Sequence, residues 1–175
     1  RSIVWSTEVI RRLRELGATQ VGMATSLPLR REWDSTTFTD IVGRPVDPQF
    51  RPNGRMRIVS PELFEALGIR VRLGRGFTAD DRADSEPVVM VNDAWVAKFL
   101  PRGTDPLRER LAGLFFRRVE GKVEMQTAPI IGVVADVRYS SLDRDAEPVV
   151  YFVDSQRPAL RRSYVVTSAD GHPER

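Results

Sequence analysis

Hydrophobic residues recur at helical spacing near the start of the chain. Val9, Ile10, Leu13 and Leu16 line one side of an expected helix, with Ser6, Thr7 and Glu8 as its cap, Gly17 as its stop and Arg11, Arg12 and Arg14 in solvent. A short strand follows over residues 21–26, bounded by Gly17 and Pro28. Residues 30–55 are rich in Arg, Asp, Pro and Gly, and offer one alternating segment, 38–43, as an edge strand. The pattern then sharpens. Residues 55–59 read as a strand, Ser60 as the N-cap of a helix, Pro61 as its first position, Leu63, Phe64 and Leu67 as its buried face, and Gly68 as its stop.

Ile69, Val71 and Leu73 alternate with Arg70 and Arg72, which predicts a strand with one wet face, broken by Gly74-Arg75-Gly76. An acidic loop spans residues 80–86. Pro87 introduces the apolar run 88–91, Asn92 caps a helix carrying Trp95 and Phe99, and Pro101 ends it. Asp105-Pro106 starts a turn or short helix. Residues 111–119 and 123–134 pair as a hairpin about Glu120-Gly121, and 149–153 and 164–167 are two further strands. Strands mixed with short helices, without regular strand–helix–strand alternation, predict an α+β fold.

Composition narrows the function classes. The chain has 175 residues, 41% hydrophobic and 29% charged, which suits an ordered domain of ordinary globular type. The longest apolar run, residues 128–135, falls far short of the ~20 residues of a membrane helix. Cysteine is absent, which excludes disulfides and thiol chemistry. Lys98 and Lys122 are the two lysines among 27 cationic residues, and the remaining 25 are arginine. Acidic residues are scattered among them and hold the net charge to +3, so the sequence lacks the concentrated basic element of a nucleic-acid binder. The chain begins without Met or a signal-peptide pattern, and reads as a piece of a longer protein.

Candidate chemistry is thin. Asp80, Asp81, Asp84 and Glu86 are close in sequence but lack the EF-hand spacing, and are expected to form a solvated loop in which Asp81 caps a turn. His172, the single histidine, lies near the end of the chain. Gly74-Arg75-Gly76 lacks the third glycine and the following helix of a dinucleotide loop, and no Walker lysine motif is present. Trp95 is expected in the core, and Trp33, in a polar loop, is the better candidate of the two for a contact surface, although an ordinary structural role leads for both; Trp5, Trp33 and Trp95 are too scattered to form a stacking platform. No catalytic, cofactor or metal residue is assigned.

The run Val59-Ser60-Pro61-Glu62-Leu63-Phe64-Glu65-Ala66-Leu67-Gly68-Ile69, continued by Leu73-Gly74-Arg75-Gly76-Phe77-Thr78 and Asp81, resembles the signature of MacB-like ABC-transporter permease periplasmic domains, in the MacB/FtsX superfamily. Further matches follow in order: Pro87-Val88-Val89-Met90-Val91-Asn92, Phe99-Leu100-Pro101, Asp105-Pro106-Leu107, the run from Gly132 through Asp136 to Arg138, and Pro148-Val149-Val150-Tyr151. Arg108 stands where the family usually has glycine. The resemblance marks Ser60, Phe64, Gly68, Gly74, Arg75, Phe77, Asp81, Asn92, Pro106, Gly132 and Asp136 as structural motif residues. It implies a non-catalytic module held outside the cytoplasmic membrane between two membrane helices, with ATP hydrolysed by a separate cytoplasmic domain. Implied partners are the parent's membrane helices and ATP-binding domain, a second permease, and a periplasmic adaptor or exported substrate, with no nucleic acid. It also implies a porter-like subdomain from residues 1–85 and 161–175 and a Sabre-like insertion at 86–160, so that 164–167 would pair with the early strands near Val21 or Arg57. A stand-alone hydrolase or transferase is the competing reading.

Overall fold

The apolar runs at Val89–Asn92 and Val149–Val153 form strands in which every residue is buried. Such strands cannot alternate wet and dry faces, so they need neighbours on both edges and cover on both faces. The computed structural model describes residues 2–29, 35–47, 49–139 and 143–168. Within them the order is α1 (Ser2–Glu15), β1 (Ala18–Ala24), β2 (Ser35–Phe38), β3 (Asp40–Ile41), β4 (Asn53–Val59), α2 (Leu63–Ala66), β5 (Val71–Gly74), β6 (Val89–Asn92), α3 (Asp93–Phe99), a 3₁₀ turn (Pro106–Arg108), β7 (Arg110–Val119), β8 (Lys122–Val134), β9 (Val149–Val153) and β10 (Ser163–Ser168). The fold is α+β, as its pattern predicts.

A mixed sheet runs β10-β1-β4-β9-β6-β8-β7-β3, with β2 added on β4 and β5 on β8. At its centre β9 lies parallel to β4, Arg57 opposite Tyr151, and antiparallel to β6, Met90 opposite Tyr151. Alternate residues sort to two cores. Ile58, Val89, Val91, Val150 and Phe152 pack with Trp95 of α3 on one face, while Val59, Met90, Val149, Tyr151 and Val153 pack with Leu63 and Phe64 of α2 on the other. Each large side chain buried in this way contributes roughly 1.5–3 kcal/mol.

The hairpin of β7 and β8 turns at Glu120 and Gly121, both with positive φ (48° and 80°), the geometry of a type I′ turn whose twist matches the strands. The strand over 164–167 does pair across the chain. β10 lies antiparallel on β1, with Met23 opposite Tyr164, Val21 opposite Val166 and Ala18 opposite Ser168.

Three local expectations fail for identifiable reasons. Ser6, Thr7 and Glu8 lie inside α1, which starts at Ser2, and Leu16 falls beyond its end and is 84% exposed; among the described side chains of this helix Ile10 is the buried one. Ser60 does not cap α2. Its backbone N–H donates to Met23 O (2.9 Å) and its hydroxyl accepts from Met23 N–H (3.1 Å), so it prolongs the β1–β4 ladder, and Glu62 stands at the start of the single-turn helix without a side-chain cap. The β5 strand has no dry face: it sits at a sheet edge on β8, and Val71 and Leu73 are exposed along with their arginine neighbours.

Phe64 joins the helix face to the sheet, with its ring edge-on to Tyr151 at 5.1 Å and stacked on Phe77 at 6.4 Å. Phe64→Ala should therefore lower unfolding free energy by about 3–5 kcal/mol. Urea denaturation measures this; a loss below ~1 kcal/mol would place the ring outside the core.

Candidate functional site

The motif residues gather at joints between elements. Gly74 and Gly132 lie opposite each other in the β5–β8 pair. A Cβ on Gly74 would stand 2.2 Å from the Ile131 carbonyl oxygen, and one on Gly132 would stand 2.2 Å from the Arg75 carbonyl oxygen, so the approach admits no side chain on either strand. The next residue, Arg75, reaches over the loop that follows. Its two terminal nitrogens donate to the two oxygens of Asp81 at 2.8 Å each, a fork-to-fork pair, and Thr78 N–H donates to the same carboxylate at 2.8 Å. Burial pushes the Asp81 carboxyl up, but Arg75 and Thr78 outweigh it and hold the group below its ordinary value.

This loop is fastened to the segment after β9. Ser155 donates its hydroxyl to the Asp81 carbonyl, and Gln156 spans the gap with both ends of its amide. Its Oε1 accepts from Val88 N–H at 3.0 Å, while Nε2 donates to Ser85 Oγ at 3.0 Å and to the Glu86 carbonyl at 2.8 Å. Phe77 packs behind the loop against Phe64.

Asn92 forms the second joint. Its Oδ1 accepts from Trp95 N–H (3.2 Å), the helix cap expected from sequence, and also from Val149 N–H at the head of β9 (2.8 Å). Its Nδ2 donates to Asp136 Oδ1 (2.7 Å) and to the Glu147 carbonyl (2.9 Å). Asp136 in turn accepts from Ala94 N–H at 2.9 Å, so one amide and one carboxylate tie β6, α3, β9 and the exit of β8 together. Arg55 of β4 extends the set through Glu147 at 3.0 Å. Asp93 feels this crowding: burial first, then the Asp136 charge, raises its pKa.

Pro106 is buried in the 3₁₀ turn, where Asp105 caps by accepting from Leu107 N–H at 3.0 Å. Gly68 ends α2 in the left-handed region, φ +65°, with open space around it. The acidic loop divides among arginines, with Asp81 on Arg75, Asp84 on Arg82 and Glu86 on Arg110. Among the described residues, no group of three metal-ligating side chains converges. His172 and Trp33 lie outside the described residues, and Trp95 is buried in the core. Sequence reading identified Asn92 as a cap and Asp81 as a turn former. It missed Gln156 and the second role of Asn92, because their partners lie 44 or more positions away along the chain.

No family model matches the sequence, and no curated protein matches it significantly. Solved structures do match. A domain described as part of a permease from Porphyromonas gingivalis superposes with a TM-score of 0.57 at 16% identity, over 94% of this chain and 62% of that one. The periplasmic region of MacB from Actinobacillus actinomycetemcomitans gives 0.56 at 18%, over 94% and 66%. The extracellular domain of the noncanonic ABC-type transporter YknZ from Gram-positive bacteria gives 0.57 at 14%, over 93% and 72%. The chain thus has the fold of MacB-like periplasmic domains, and it spans somewhat under two thirds of the length of the first two of these structures.

The Asp81–Arg75 pair carries a pH signature. A carboxyl held below its unfolded value of 3.8 contributes stability that is fully present above that value and is lost as pH falls through the folded one. Asp81→Asn should cost about 2 kcal/mol at pH 7, discounted because Arg75 is half exposed, and the gap from wild type should shrink below pH 4. Urea unfolding at pH 7, 5 and 3 measures the gap; one that stays constant would remove the ionised pair as its source.

Proposed function

We propose that this chain is the extracytoplasmic domain of a MacB-type ABC-transporter permease, a non-catalytic module that converts cytoplasmic ATP hydrolysis into movement outside the membrane. The observation that carries the reading is the match over nearly the whole chain to three permease or transporter domains, in a chain that places the motif residues at structural joints. Sheet geometry supports it further. Ala18 at the start of β1 lies opposite Ser168 at the end of β10, so the first and last strands of the sheet pair side by side, as a unit built from both flanks of the chain requires.

Its place is then the periplasmic or extracellular face of the cytoplasmic membrane. Its partners are the parent's membrane helices, a nucleotide-binding domain, a second permease copy, and an adaptor or exported substrate. The porter-like part is assigned to residues 1–85 and 161–175, a division supported by the seating of β10 on β1, and the Sabre-like part to 86–160. The β4–β9 ladder, from Arg55 opposite Val149 to Val59 opposite Val153, joins the two, so they transmit movement as one body. The competing hydrolase or transferase reading needs converging reactive groups, whereas Asp81, Asp84, Glu86 and Glu147 each face an arginine and Asp136 is engaged by Asn92 and the Ala94 N–H.

Two measurements test the reading. Reporter fusions along the full-length parent should map one membrane helix before this segment and three after it, and the isolated domain should give no heat on titration with ATP. A soluble parent, or micromolar ATP binding by this domain, would overturn the assignment. For rigid transmission, hydrogen exchange should find the β4 and β9 amides among the slowest in the domain. Exchange there as fast as at the exposed β7–β8 tip would mean that the two parts move independently.

A further inference from the structure

Beside β4, the segment between β9 and β10 folds over a groove of about 810 Å³, within the roughly 300–1,000 Å³ range of small-molecule sites. Met56, Ile58, Ala159 and Leu160 supply apolar lining, and Leu160 is fully exposed at 100%. The charged residues of the lining are all arginine: Arg157, Arg161 and Arg162. Arg162 is neutralised by Asp154, 3.3 Å away.

The other two are not. Arg157 is half-buried, with its guanidinium 4.8 Å over the Phe152 ring and Nη1 donating to the Leu114 carbonyl at 2.7 Å, yet no carboxylate is bonded to it among the described residues. Burial alone pushes its pKa down. Arg161 is exposed and likewise has no acidic partner among the described residues. Removing a cation from water without an anion is costly, and an aromatic face and one carbonyl offset only part of that cost. Among the described residues the other partly buried arginines, Arg44, Arg51, Arg55, Arg110 and Arg162, each face a carboxylate, so Arg157 without one, beside the exposed Arg161 in the same groove, marks a place for an anion from outside.

We propose that this groove binds a single-chain anionic amphiphile, its phosphate or carboxylate head on Arg157 and Arg161 and its alkyl chain along Met56, Ile58, Ala159 and Leu160. The mixed lining selects for this class. An inorganic anion would leave the apolar surface wet, and a neutral detergent would leave the guanidinium groups uncompensated. Binding of this kind does not require that the chain belong to a transporter.

Calorimetric titration of the domain with dodecyl phosphate below its micelle concentration should show saturable 1:1 binding. Inorganic phosphate and dodecyl maltoside should each bind at least tenfold more weakly. Arg161→Gln and Leu160→Asp change exposed side chains and leave the fold intact by circular dichroism; each should weaken dodecyl phosphate binding about tenfold or more, the scale of one charge-assisted hydrogen bond. Arg157→Lys should retain more affinity than Arg157→Gln. The proposal fails if the folded wild type shows no saturable binding, or if either control ligand binds as tightly as dodecyl phosphate. It fails equally if both exposed-site variants bind unchanged, or if phosphatidylglycerol vesicles bind where the monomeric amphiphile does not, which would indicate a membrane surface.

Discussion

Strand β9 is buried on both faces along its whole length, and its neighbours are placed by the need to satisfy it. Backbone groups withdrawn from water must find partners. β9 finds them on β4 along one edge and β6 along the other, and at its ends Val149 N–H reaches Asn92 Oδ1 while Asp154 N–H reaches the Val59 carbonyl. Because its side chains alternate between two cores, α3 must cover one face and α2 the other. Both helices are short, seven and four residues, far below the length at which a helix stands alone, so burial of Trp95, Leu63 and Phe64 against β9 and its neighbours is what holds them helical.

Local chemistry was legible in the sequence wherever the cause lay within a few residues. The glycine after α2, the Asn92 cap, the turn or short helix begun by Asp105-Pro106 and the Glu120-Gly121 turn all depend on backbone geometry fixed by adjacent positions. The alternating stretch at β5 misled because alternation reports one wet face only when something covers the other, and among the described residues nothing buries Val71 and Leu73 at that edge. Ser60 misled for the converse reason: a hydroxyl before a helix signals a cap, but a strand amide at Met23 competes for the same oxygen and wins. The Gln156 latch had no signature, since a glutamine bridging loops 70 positions apart leaves no periodic trace.

The arginine-rich composition acquires a structural meaning in these joints. A guanidinium can bond two oxygens at once, which a lysine cannot, so Arg75 clamps both oxygens of Asp81, and Arg51 does the same to Asp40 at 2.7 Å on each. Most of the pairs are partly exposed and contribute little to stability individually. Their effect is geometric, fixing where loops leave the sheet. Asp81 and Asp154 are buried exceptions, 4% and 5% exposed, and the bond of Asp81 to Arg75 closes the same turn that the Gly74–Gly132 approach begins.

The joint between the β1–β10 pair and the rest of the sheet depends on side chains more than any other. β1 meets β4 through one backbone pairing, Ala24 opposite Val59, whereas β4 meets β9 over five residues. Two hydroxyls lengthen the short contact: Ser60 accepts from Met23 N–H, and Thr25 accepts from Ile58 N–H at 3.1 Å while its own N–H donates to the Ile58 carbonyl. These side chains stand in for ladder bonds that the strands do not make themselves. Under the proposed membrane attachment, load enters through α1 and β10 and must cross this seam to reach the central strands. Stiffness there rests on Ser60 and Thr25 together with the packing of α2, and this gives the serine of the motif a reason to be a serine that does not involve capping.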